Sequence, residues 1–479
     1  MSIDTTTPAV VLTLDRNGMH HGGLGAIRSL GRLGVPVYGV HDEPLGPAAS
    51  SRYLSGHWFW RAPADDAERL LTGLITLAER IGSPSVLIPT DDAGAIFLAE
   101  HGAELRQWFR FSDPPSDLPR RVADRYTLYQ LCRELGVPCL AAARPGSLAE
   151  ADEFAAEVGF PLIAMPGTPA GASRRSAGRR PQPRDPSMLH NRDELARAFH
   201  DSETAPGAGL MLQEFVPRCP SQDYFFYGYC DAGSRCEPGF VGLKERCYPA
   251  LNGRTSLGRW VENPDLHAQA TELLSRLGFQ GIVALDYRWD PRDGQYKLLG
   301  FNPRLGEQFR LFQDDAGVDV VVAAHLDLTG RPISSGAQRT GRRLLVENRD
   351  PAAALGCRRN GELNLLWWVM SLRLVNEMAW YARDDLRPFG LMCLRTGWRA
   401  VTPITRGLAR SRSGTGSSKP PRFRRGRAAP AAAPPPPAQA PQPQEPQPDQ
   451  PLQLQPDVRR FVPRLRRPWQ KVTTGTAHG

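Results

Sequence analysis

Apolar positions in the first hundred residues fall into short runs separated by stretches of helical spacing. Residues 10–14 form a β-type run, Gly22-Gly23-Leu24-Gly25 punctuates it, and 26–33 reads as helix. A second strand follows at 35–40, a helix at 65–81, a third strand at 85–89 and a helix at 93–100. Strand alternating with helix at this spacing predicts βαβ units on a parallel sheet. The expectation is a doubly wound N-terminal domain over residues 1–115.

Beyond it the pattern changes. Residues 119–136 read as one helix carrying Asp124-Arg125, 148–158 as another, and 160–165 as a strand. Residues 166–186 are rich in Gly, Pro and Arg without apolar periodicity, which predicts a flap. A helix near 192–199, strand-like runs at 210–216, 224–229 and 240–244, and helices at 267–277 and 318–328 follow. Between the last two helices, the β-prone runs 281–288 and 296–306 flank a polar turn containing Gly294, a hairpin pattern. The expected class is α/β followed by α+β, with a second domain over 116–335 and a helical extension over 336–407. Residues 363–381 are rich in aromatic and aliphatic side chains, interrupted by Asn364, Ser371, Arg373, Asn376 and Glu377. They predict a packing helix, with a peripheral membrane or partner face as the alternative.

Composition narrows the classes. No apolar run in the 479 residues approaches 18, so no membrane span is expected. The N-terminal Met1-Ser2-Ile3-Asp4-Thr5-Thr6-Thr7 lacks a basic region leading into an apolar core, so the reading is cytoplasmic. Eight cysteines are scattered without paired spacing, which favours thiols over disulfides. The formal charge of +9 misleads: the segment from Gly407 onward carries thirteen Lys and Arg against three acids, and the rest is near neutral. That Pro- and Arg-rich tail, 408–479, cannot bury enough apolar surface to offset its ordering entropy and is expected to be disordered. Phe423, Phe461 and Trp469 among its arginines admit single-strand stacking. The body shows no basic stripe, so nucleic acid is expected only through the tail.

Candidate chemistry concentrates at the hairpin. Asp286 on its first strand and Asn302 on its second offer hard oxygen ligands, the kind that hold Mg2+ against nucleotide phosphates. His20-His21-Gly22-Gly23 and Thr90-Asp91-Asp92 follow strand ends, where open α/β sheets bind ligands. His20 and Asp91 are therefore substrate-site candidates.

The order of these pieces over about residues 8–400 resembles the ATP-grasp superfamily, and within it the actinobacterial carboxylate–amine ligase-like proteins. The resemblance rests on Ser29–Val37, Asp124-Arg125, Met165-Pro166, Gln213-Glu214-Phe215-Val216-Pro217, Leu243-Lys244-Glu245-Arg246, Asp286, and Phe301-Asn302-Pro303-Arg304. It implies that ATP is clamped between two subdomains and that a carboxylate is activated as an acylphosphate for attack by an amine. ATP and Mg2+ are the implied cofactors, small carboxylates and amines the implied partners, and a homodimer is left open. Gln213, Glu214, Phe215 and Val216 match the adenine hinge, Asp223 the ribose acid, and Arg125 a phosphate-contacting cation. Lys244 and Arg246 fall where cations serve nucleotide or substrate. Arg288, Arg304 and Arg310 are the expected contacts of the transferred phosphoryl group or the substrate carboxylate, Arg288 and Arg304 as catalytic residues.

Two positions depart from the pattern. Met165 stands where a phosphate-gripping Lys is expected, and Gly300 where an acid bridges the metal. Losing one preorganised charge typically costs on the order of 10²–10³ in rate. The alternative to an active ligase is thus a non-catalytic descendant that binds nucleotide or carboxylate.

Overall fold

A computed structural model of the chain describes residues 2–15, 17–60, 66–166, 187–203, 209–216, 222–249, 253–333 and 336–398. Most of the expected flap, with Arg174, Arg175, Arg179 and Arg180, and the whole tail lie outside the described residues.

Five strands, β1 (Ala9–Leu12), β2 (Val37–His41), β3 (Leu54–Phe59), β4 (Ser85–Pro89) and β5 (Phe109–Arg110), form one sheet in the order β3-β2-β1-β4-β5. Every neighbouring pair is parallel. The short Ala9-Val10-Val11-Leu12 run is buried throughout because it is the central strand, covered on both faces. Helices α1 (His21–Gly31), α2 (Ala67–Ile81) and α3 (Asp92–His101) complete this part. In α2, Leu70, Leu74, Leu77 and Ala78 make one buried stripe, Asp66 caps the start and Gly82 at φ 75° ends the helix.

The glycine cluster at 22–25 is helical, not the punctuation its composition suggests. It lies inside α1 because another part of the chain packs directly against it. A Cβ on Gly22 would stand 2.8 Å from the Gly306 carbonyl oxygen, and one on Gly25 2.7 Å from the Phe309 ring. A backbone oxygen cannot swing aside, so close approach outweighs helix propensity here. Gly22→Ala is expected to destabilise the protein by about 1–3 kcal/mol, although Ala gains roughly 1 kcal/mol in a free helix. Chemical denaturation checks the sign.

The single helix expected over 119–136 is two, α4 (Leu118–Ala123) and α5 (Arg125–Leu135). Asp124 sits between them with extended backbone, and its carboxylate accepts from the Thr127 amide at 2.9 Å. It caps α5, and a capping residue needs non-helical φ/ψ. Next come β6 (Ala142–Ala143), α6 (Leu148–Val158), β7 (Leu162–Pro166), β8 (Ser187–Leu189), α7 (Arg192–Glu203) and β9 (Leu210–Glu214). Their strands form a sheet ordered β6-β9-β7-β8.

The largest sheet contains β10 (Asp223–Cys230), β11 (Cys236–Tyr248), β12 (Arg254–Trp260), β13 (Gly281–Asp290), β14 (Gln295–Asn302), β15 (Arg343–Leu345) and β16 (Glu377–Met378). Their order is β14-β13-β10-β11-β12-β15-β16. With α8 (Pro264–Arg276) and α9 (Val320–Leu328), both faces of this sheet are covered. Phe225, Tyr227 and Tyr229 pack with α9 and with Ala26, Ile27 and Leu30 of α1, whereas Phe226 and Cys230 face Leu266, Ala270 and Leu274 of α8. That two-sided burial is why Asp223–Cys230 shows no polar alternation.

After α9 the chain is not helical throughout. β15 joins β12 in the large sheet, and α10 (Asp350–Arg359) and α11 (Leu365–Leu372) follow. The packing helix expected across 363–381 shrinks to α11, which buries no residue; the chain then returns to the sheet as β16. No helix among the described residues is long and apolar enough to cross a membrane. Cys132, Cys139, Cys230 and Cys236 are unbridged thiols.

Candidate nucleotide and substrate site

The hairpin of β13 and β14 carries the centre of the candidate site. Asp286 faces Gly300, and Ala284 faces Asn302, across the strand pair. Asn302 Nδ2 lies 3.4 Å from Asp286 Oδ2 and donates to the Ala284 carbonyl at 3.1 Å. Lys244, reaching across from β11, places Nζ 2.6 Å from Asp286 Oδ1. Burial would lower the Lys244 pKa, but the Asp286 carboxylate outweighs it and the ammonium is held more firmly than usual.

From Asn302 the contacts continue toward the N-terminal sheet. Arg304 donates through Nη2 to Asn302 Oδ1 at 3.1 Å and through Nε to Asp92 Oδ1 at 3.0 Å. The Leu305 amide donates to the Pro89 carbonyl at 3.2 Å, which ties this loop to the carboxyl end of β4. Lys244, Asp286, Asn302, Arg304 and Asp92 thus form one chain of direct polar contacts. It runs from the large sheet to the strand ends of the parallel one.

His20 and Asp91 stand at those strand ends, each capping a helix. His20 Nδ1 accepts from the Gly23 amide at 3.4 Å, and its charged neighbours are Glu307, Arg304, Asp15 and Arg254. Asp91 accepts from the amides of Gly94, Leu14 and Asp15 at 2.6–2.9 Å. Burial pushes its pKa up to about 6 against those amides. Its oxygens are engaged by the backbone, whereas Asp92 beside it turns to Arg304.

Glu307, which no motif in the sequence marks, is buried beside His21 and forked by Arg349 at 2.5 and 3.0 Å. Arg254 reaches the same carboxylate at 3.3 Å. Burial pushes His20 down to about 4 and His21 to about 3, so both are neutral in the folded protein near pH 7. The 3.7 Å approach of His21 to Glu307 is therefore no ion pair. Unfolded histidine protonates near 6.5, so the unfolded chain binds more protons below that value. The stability that keeping these two imidazoles neutral contributes is expected to be full above about pH 6.5 and to fall as pH drops toward about 3. Melting curves across this window, compared with His20→Gln/His21→Gln, check it: the double variant should show a flatter dependence.

The hinge candidates lie on and just beyond β9. Gln213 and Leu212 pair with β6, and Glu214 pairs with Leu162 of β7. Phe215 is half-buried and Val216 buried. The Glu214 carboxylate is held by Arg292 and lies 3.5 Å from Lys297 Nζ, both from the hairpin. The Val216 carbonyl accepts from Arg288 at 3.0 Å, fixing the hinge two residues along β13 from Asp286.

Lys297 is illegible in the sequence for a structural reason. Simple alternation along β14 would set it on the face opposite Asn302. The register slips at Leu299, where Asp286 pairs with Gly300 but Tyr287 with Leu298. That bulge returns Lys297 to the face it shares with Asn302.

Other expected contacts are committed elsewhere. Arg288 and Asp223 are buried against each other at 2.6 Å, directly opposite in register, so they brace the hinge and do not open onto a cleft. Arg246 is buried in a fork with Asp350 at 2.9 and 3.0 Å. Arg310 binds Ser29 at 2.8 Å, with Asp319 and Glu377 beside it, and so locks the large sheet onto α1. Arg125 lies against Met165, with Nη1 3.2 Å from the sulfur, and senses the Asp286 charge. The two positions expected to meet phosphate are therefore neighbours. A Cβ on Gly300 would rest 3.8 Å from Asp286 Oδ2, ordinary contact, so the missing acid has room.

No group of three or more His, Cys, Asp or Glu that could hold a metal occurs among the described residues. Asp286 and Asn302 still suit Mg2+ in kind, because that ion keeps water and phosphate ligands and needs only one or two protein oxygens. A cavity of about 50 Å³ is lined by Arg304 together with Leu87, Phe111, Ile282 and Leu305. It is too small for a nucleotide.

No protein-family model matches the chain. A D-aspartate ligase from Enterococcus faecium is 24% identical over 241 residues, spanning 46% of this chain and 53% of the ligase. The carbamoyl phosphate synthase large chain of Thermomicrobium roseum is 25% identical over 242 residues, 48% of this chain but 21% of that protein. The match therefore spans about half of one relative and a fifth of the other. Among solved structures, N5-carboxyaminoimidazole synthetase from Staphylococcus aureus superposes with TM-score 0.51 at 13% identity, covering 71% of this chain and 82% of its own. The biotin carboxylase domain of Hydrogenobacter thermophilus 2-oxoglutarate carboxylase, solved with MgADP and bicarbonate, gives TM-score 0.50 at 16% identity, covering 70% and 73%. The chain has an ATP-grasp fold and is similar to the carboxylate–amine ligases built on it.

Proposed function

We propose that the protein binds ATP with Mg2+ and uses it to join a small carboxylic acid, in the class of amino acids, to an amine. The observation that carries this reading is the continuous contact chain Lys244–Asp286–Asn302–Arg304–Asp92. It links the candidate nucleotide end to the strand ends where a substrate would sit. In this reading the backbone of Glu214 and Val216 meets the purine edge, with Arg288 and Asp223 as positioning residues. Asp286 and Asn302 would hold Mg2+, which would neutralise phosphate charge. Lys244 and Arg125 face the phosphates. Arg304, fixed by Asp92 and Asn302, stands where a carboxylate oxygen would attack the γ-phosphorus, with ADP leaving. The amine then attacks the acyl carbon and inorganic phosphate departs. His20, neutral and next to Arg304 and Glu307, lies on the side where the substrate would bind. The similarity to D-aspartate ligase supports an amino acid as the substrate class.

The test is to supply Mg·ATP with a panel of small carboxylic acids and hydroxylamine in place of the amine. Hydroxamate and ADP in equal amounts are expected with the true acid. ADP production from none of them, alongside measurable nucleotide binding, would favour the second reading, a non-catalytic nucleotide binder. That reading is supported by Met165 and Gly300. Met165→Lys together with Gly300→Asp is expected to raise Mg·ATP turnover by at least tenfold, since each restores a charge worth on the order of 10²–10³. Equal rates in both proteins would mean that other groups already supply those charges.

A further inference from the structure

The surface of α11 is inverted relative to an ordinary packed helix. In Leu365–Leu372 the inward positions are Trp368, Ser371 and Leu372, spaced three and four apart, while Leu366, Trp367, Val369 and Met370 point outward. Leu366 is 70% and Trp367 65% exposed, and Leu374 just beyond is 57% exposed. Specific polar contacts hold the helix in this orientation. Trp368 Nε1 donates to Asp350 Oδ2 at 2.8 Å, Arg246 Nη1 donates to Ser371 Oγ at 2.9 Å, and Asn364 caps the start by accepting from the Trp367 amide. A helix pinned by its polar side with its apolar side outward is built to meet an apolar phase.

Charge identifies that phase. Arg358 and Arg359 precede α11 and Arg373 follows it; all three are exposed and pair with no acid among the described residues, and Glu362 is the one acid between them. Beyond the last described residue the sequence adds thirteen Lys and Arg against three acids from Gly407 onward. A second copy would bring like charge onto like charge. An anionic lipid surface complements both features, because an apolar helix face and a polybasic segment together supply the two signals that stable peripheral attachment needs.

We infer that α11, flanked by the exposed Arg358, Arg359 and Arg373, is the insertion face of a peripheral membrane contact specific for anionic lipid. The full chain is mixed with phosphatidylcholine vesicles, with or without roughly one-third phosphatidylglycerol, and sedimented. Binding is expected only with the anionic lipid and should weaken as salt shortens the Debye length. Leu366→Ser/Trp367→Ser/Met370→Ser, at exposed positions that leave folding intact, should reduce partitioning at least tenfold with an unchanged melting temperature. Absence of binding, or equal binding to neutral vesicles, would overturn the inference. So would undiminished binding of the triple variant, which would leave the tail alone responsible. A dimer that the triple variant converts to monomer, without vesicle binding, would assign the face to a second copy instead.

Discussion

Asp286→Asn is expected to remove most of the Mg2+-dependent gain in nucleotide affinity and, where turnover is measurable, to lower it by about 10²–10³, or roughly 3–4 kcal/mol. The side chain keeps its size and loses its charge. Lys244 then faces an amide instead of a carboxylate, and Asn302 loses its ionic neighbour. The melting temperature in the absence of nucleotide serves as the control. Asp286 is about one-third exposed, so loss of its pairing with Lys244 alone should be modest in water. Calorimetric titration of Mg·ATP into both proteins reads the effect. A variant with unchanged affinity and rate would remove Asp286 from any metal role.

Asp350→Ala should give the largest loss of stability, about 3–5 kcal/mol. Its carboxylate is almost wholly buried and takes both arms of the Arg246 fork, the Ser256 hydroxyl at 3.0 Å and the Trp368 indole at 2.8 Å. Removing it strands a buried guanidinium, and uncompensated buried charge is what makes such losses large. The double variant Arg246→Met/Asp350→Leu removes both charges and keeps the volume. It is expected to cost less than Asp350→Ala alone, a non-additivity that a double-mutant cycle measures. If the double variant were the less stable of the two, the pair would be contributing net stability beyond mutual compensation. Either result bears on α11, whose inner face hangs from these residues.

Arg246 shows what the sequence could and could not disclose. Its position two residues after Lys244 is legible, but its partner lies 104 residues away, and no local pattern announces that pairing. The same holds for Arg288 with Asp223 and for Arg310 with Ser29 and Asp319: cations that look available along the chain are spent on bracing elements against one another. The elements themselves are mostly legible where burial is strong. β1, β4, β13 and β14 follow apolar runs, whereas β3 and β12 carry few consecutive apolar residues and leave no such trace. The proximity of the candidate residues Asp286 and Asn302 is legible because strand pairing in a hairpin is local. Lys297 is hidden by one bulge, and the glycines of α1 by a long-range contact with Gly306 and Phe309.

The proposed chemistry requires nucleotide to lodge between the β9 hinge and the β13–β14 hairpin. A crystal structure of the protein with Mg2+ and a non-hydrolysable ATP analogue tests this most directly. The purine should lie along the backbone of Glu214–Val216 and the phosphates beside Arg125 and Lys244, with the metal about 2.0–2.1 Å from an Asp286 oxygen. Nucleotide bound elsewhere, or an empty cleft at saturating analogue, would contradict it.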